Sequence, residues 1–103
     1  MTDQSRSFQT VMIERTQLIC QLVELNGTQV RLVQDVGGAE IDVMTCERTI
    51  AEDGESAAAR SELEAAIQRQ EAALAALAEC ETRLLHLEGR VDALDREIAA
   101  AMK

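Results

Sequence analysis

A chain of 103 residues with a formal charge of −9, no proline and a single aromatic residue, Phe8, is one domain at most. The near-absence of Phe, Tyr and Trp argues against a compact globule, because those side chains usually dominate small cores. With no basic patch and no aromatic platform, nucleic acid is excluded as a natural partner, and an acidic surface is repelled by anionic lipid.

Residues 1–6 are polar and expected to be disordered. Ser7 is placed to cap the helix that follows, since its hydroxyl can accept a bond from an orphan backbone N–H. From there a heptad track runs without a slip: Phe8, Val11, Arg15, Leu18, Leu22, Leu25, Gln29, Leu32, Val36, Ala39, Val43, Cys46, Ile50. A three-four spacing held that long marks a helix packing along its length, and the expected span is residues 7–51.

Two places strain that reading, at residues 26–28 and 37–38. Gly27, Gly37 and Gly38 each cost a helix interior about 0.8–1.0 kcal/mol relative to alanine. The rival is a β-hairpin over residues 28–45 turning at Gly37-Gly38, with Val30, Leu32, Ile41 and Val43 alternating. Against the ribbon, Asp35 would face Glu40 across the ladder, and an isolated two-stranded ribbon is marginal in water. The heptad track also passes both glycine sites in frame. A continuous helix, kinked or broken at these sites at most, is the expectation.

Residues 52–56 are acidic, carry Gly54 and form the expected turn. A second track follows over residues 57–102: Ala59, Leu63, Ala66, Gln70, Ala73, Leu77, Cys80, Leu84, Leu87, Val91, Leu94, Ile98, Ala101. Ser61-x-x-Glu64 reads as a capping box, which would start the helix at Ser61. The Ala57-Ala58-Ala59 run would instead carry it back towards Glu55. The absence of proline suits both helices, since an interior proline costs about 3 kcal/mol.

The fold class is therefore all-α, an antiparallel helical hairpin of two long helices with coiled-coil packing. Folding back at the turn sets Cys46 against Leu63, Val43 against Ala66, Leu25 against Leu84, Leu18 against Val91 and Val11 against Ile98. Beside that seam, Glu47 is expected near Arg60, Asp42 near Arg69 and Val33 beside Leu74. The polar seam residues Arg15, Gln29 and Gln70 cost stability while penalising wrong registers. Arg15 is expected to reach Asp92 or Glu14 of another chain.

The e positions carry the functional signal. Met12, Ile19, Val33, Ile67 and Leu74 are apolar where an isolated pair of helices would place charge, and Val23, Val30, Met44 and Leu85 widen the stripe at b positions. A three-in-seven apolar face belongs to bundles. The stripe is thus an interface for a second hairpin, completing a four-helix bundle as a homodimer, or for another helical protein. Alternatively, a first helix that broke would fold over part of the stripe within one chain.

For catalysis and metals the chain offers little. His86, the lone histidine, falls at a solvent-facing c position, and no ligand spacing occurs. No catalytic, cofactor-binding or metal-binding residue is assigned, no cofactor or small-molecule substrate is expected, and the chain is not read as an enzyme. Cys46 and Cys80 fall in the seam as small apolar residues, and Cys20 points outward. No segment is apolar enough to span a membrane. The first residues lack the features of a signal peptide, so the expected compartment is the cytoplasm. Nine arginines against one lysine, with abundant alanine, hint at a GC-rich bacterial genome.

In architecture, a small acidic hairpin of this kind resembles the secreted WXG-type proteins, although its turn has no Trp-x-Gly. It also looks like the two-helix stalk or chaperone subunits of flagellar and type III export ATPases, which are more basic and richer in lysine and glutamine. The leading functional expectation is a non-enzymatic coiled-coil scaffold or adaptor that self-associates by its apolar flank. The alternative is a chaperone or stalk-type subunit of a bacterial protein-export apparatus with a hetero-partner.

Overall fold

The computed structural model describes residues 7–103; the expected disordered start, residues 1–6, lies outside the described residues. Two long helices pack as a hairpin, α1 at Phe8–Asp53 and α2 at Ala57–Ala101, and the described residues contain no strand. The β-ribbon over residues 28–45 is not formed. The helix runs through Gly27, Gly37 and Gly38 because the local cost of the glycines is smaller than the gain from keeping the apolar seam in phase.

Three of the four helix ends have an identifiable cap. At the start of α1, the Ser7 hydroxyl accepts a bond from the Thr10 backbone N–H at 3.1 Å. The helix closes at Gly54, whose φ of 86° lies in the left-handed region that a side chain disfavours. Its N–H donates to the Ile50 carbonyl at 2.9 Å, the αL form of C-cap. Two residues later Ser56 opens α2 by accepting from the Ala59 N–H at 3.1 Å.

The capping box at Ser61 is not used. Ser56 is the first residue after the reversal able to cap, and the alanines behind it are strong helix formers, so α2 starts before Ser61 is reached.

The chain divides into two compact units. The terminal unit joins the described residues through Gly27 to Glu81–Lys103. Its core is Val11, Leu18 and Leu25 from α1 with Leu84, Leu87, Val91 and Leu94 from α2, all buried. The turn unit, Thr28–Cys80, buries Val36, Ala39, Ala66 and Cys80, and it half-buries Leu32, Val43, Cys46, Leu63, Ala73 and Leu77. Every position of the two heptad tracks is buried or half-buried except the outermost, Phe8 and Ala101. Those two lie at the first and last helical residues, where only one side has a neighbouring turn.

Candidate protein-protein interface

The seam is closed, and the two flanks beside it differ in chemistry. One flank is ionic. In the terminal unit the Arg90 guanidinium lies 3.6 Å from the Glu14 carboxylate. In the turn unit Asp42 and Arg69 line a common groove with Cys46 and Glu62. On exposed helices such pairs set register more than stability, at about 0–1 kcal/mol each.

The other flank carries the predicted interface residues, and most of them are in solvent. Met12 is 38% exposed, Val33 53%, Ile67 37% and Leu74 46%. Ile19 is half-buried. Because α1 does not break, no part of it folds back to cover these side chains. Val23, Val30, Met44 and Leu85 are exposed as well.

Sequence reasoning passed over Ile13 and Ile41, which are also largely exposed. Both sit at f positions, one step beyond the b positions, where an apolar residue continues the same stripe outward. Phe8, the first position of the seam track, is half exposed.

The polar seam residues do what such residues can do in a coiled coil. Arg15 donates from Nε to Asp95 Oδ1 at 2.6 Å, rather than to Asp92 as expected. Asp95 is an e position bordering the seam, whereas Asp92 at b points a step further out. Similarly, Arg60 donates from Nε to Glu55 at 3.0 Å rather than reaching Glu47. The early start of α2 brings Glu55 within a turn of Arg60, and the nearer carboxylate wins. Gln29 and Gln70 are half-buried. No buried side-chain nitrogen or oxygen among the described residues lacks a partner, so the polar seam positions leave no orphaned group.

Reactive groups are dispersed. His86 is exposed. Cys20 is exposed, Cys46 half-buried and Cys80 buried, all three as free thiols. Among the described residues no group of three or more His, Cys, Asp or Glu side chains could hold a metal ion. Nor is any helix among them long and apolar enough to cross a membrane.

Compared with known protein families, characterised proteins and solved structures, the chain matches none of them.

Proposed function

We propose that this chain is a non-enzymatic coiled-coil scaffold or adaptor, bacterial and cytoplasmic, that acts through protein–protein contact. It associates with a second copy through its apolar flank to complete a four-helix bundle, and it presents its acidic outer surface to other proteins. One observation carries this reading: large aliphatic side chains at Met12, Val33, Ile67 and Leu74 stand in water beside a seam that is already closed. Surfaces of that kind are interfaces in folded proteins far more often than free faces.

Sedimentation equilibrium of the pure chain tests it. A species of twice the 11.3 kDa chain mass is the expected result. A chain that remains monomeric and dispersed at high concentration refutes it.

A second reading, a chaperone or stalk-type export subunit bound to a different helical protein, draws support from charge. Residues 28–80 hold eleven acidic side chains and four basic ones. In this unit Glu40, Glu47, Glu64 and Glu71 occupy e and b positions beside Val33, Ile67 and Leu74, so a second acidic copy would meet like charge there. Aggregation of the isolated chain, relieved by a basic helical partner, is the result that reading requires.

A further inference from the structure

Within the terminal unit, α1 carries a second heptad track that its own hairpin does not cover. Gln9, Met12, Thr16, Ile19 and Val23 step by three and four beside the seam, and Ile13 and Cys20 lie just outside them. None of these side chains is charged, although the whole chain carries −9. The charged residues of the stretch, Glu14 and Arg15, are engaged with Arg90 and Asp95 of α2.

This face also has a shaped feature. Gln9, Met12, Ile13, Thr16 and Gln17 line a shallow, mainly apolar groove, the first four at i, i+3, i+4 and i+7. Residues at i, i+3, i+4 and i+7 are the four corners of the hole that receives a side-chain knob in coiled-coil packing. The Thr16 hydroxyl already donates to the Met12 carbonyl at 3.0 Å, so covering it strands no polar group.

We infer that the occupant is the same segment of a second copy, laid antiparallel to the first about a twofold axis at Thr16. This rests on the self-association proposed above and confines it to residues 8–24 of α1, leaving Val33, Ile67 and Leu74 outside this contact. A twofold contact requires a surface able to face itself, which an uncharged face permits. Packing α1 against α2 of the second copy would instead press Met12, Ile19 and Val23 onto a face bearing Glu81, Glu88 and Asp92, beside an Asp95 already paired with Arg15. Carboxylates covered by hydrocarbon without counter-charges are costly, so α1 selects α1.

With the axis at Thr16, Ile13 of one copy meets Ile19 of the other, and Met12 meets Cys20. Each Ile19 becomes the knob for the other copy's groove. Met12, Ile13 and Val23 are 38%, 53% and 67% exposed. Together they offer on the order of 300 Å² of apolar surface per copy, the size of patch that is often functional on a small protein. Two such faces total about 600 Å² of apolar surface, and their polar rims must supply the rest of the ~1,200 Å² that the smallest standard specific interfaces bury.

The test is a cross-link in the full-length chain. Thr16→Cys in a Cys20→Ser background should oxidise to a covalent dimer, with mass spectrometry of the digest placing the bond between the two copies of position 16. The geometry needs Cα atoms about 4.4–6.8 Å apart, which residues on the axis can reach. Gln21→Cys in the same background, on the ionic flank, should not cross-link. Separately, Ile13→Lys alters an exposed side chain, so helicity should be unchanged while the dimer dissociation constant rises by more than about tenfold. A dimer that gives no bond at position 16 and ignores Ile13→Lys overturns this placement and leaves self-association standing. A chain that stays monomeric throughout overturns both.

Discussion

Replacing Gly38 by alanine should make the protein more stable. The residue lies inside α1, its backbone φ is not in the left-handed region, and a Cβ built on it meets nothing within 4 Å. Alanine therefore brings no clash and removes the unfolded-state freedom that glycine loses on entering a helix, a gain of about 0.8–1.0 kcal/mol. Gly27 meets the same conditions, so Gly27→Ala with Gly38→Ala should give about 2 kcal/mol, the sites being too far apart to couple. For a chain of this size that corresponds to roughly 8–10 °C in the unfolding midpoint. Gly54→Ala is the internal control. There too a Cβ finds open space, but φ is +86°, so the substitution should destabilise by about 1–2 kcal/mol. Thermal and urea unfolding followed by far-ultraviolet circular dichroism, at one fixed chain concentration, reads all three variants. A loss of stability in Gly38→Ala would refute the reasoning, because it requires a break in the helix or a neighbour that the hairpin does not contain.

Three further outcomes follow from the same geometry. Ser56→Ala removes the only side-chain cap seen at the start of α2 and should cost about 1 kcal/mol in urea unfolding, whereas Ser61→Ala should change stability by less than about 0.5 kcal/mol. Ala66 is fully buried, so Ala66→Leu should overpack the seam and cost about 1–3 kcal/mol; a neutral result would mean the helices are not in close contact there. A thiol reagent should label Cys20 first, Cys46 more slowly and Cys80 only on unfolding, and peptide mapping of partly labelled protein checks that order.

Much of this fold was legible because a coiled-coil seam is a local pattern written over a long stretch. Each heptad position reports one side of one helix, and the error does not accumulate while the frame is kept. Arg15, Gln29 and Gln70, read as seam positions, are half-buried, and Val33 and Leu74, read as flanking positions, are exposed. The three interior glycines were weighed correctly against the seam, since roughly 1 kcal/mol apiece does not offset a continuous apolar face.

The expected start of α2 at residue 57 holds, in preference to Ser61, because Gly54 releases the chain where Ser56 can cap it. Where the reading went astray, two near-equivalent groups competed for one partner. Arg60 could reach Glu47 across the hairpin or Glu55 along it. Asp92 and Asp95 lie one turn apart, and the path of the backbone beside Arg15 selects Asp95. Such choices differ by tenths of a kcal/mol, and no periodicity records them.

By itself, the order of amino acids determined that the chain would be two amphipathic helices, which faces they would bury, and where the chain would reverse, because 3.6-residue periodicity and the αL preference of glycine act within a few neighbours. Only the packed hairpin decided which caps and ion pairs form, how far Met12, Ile13 and Val23 stand in solvent, and that the Thr16 groove is left open. Those outcomes depend on how near one helix brings its side chains to the other, and that distance is set by all the seam contacts together.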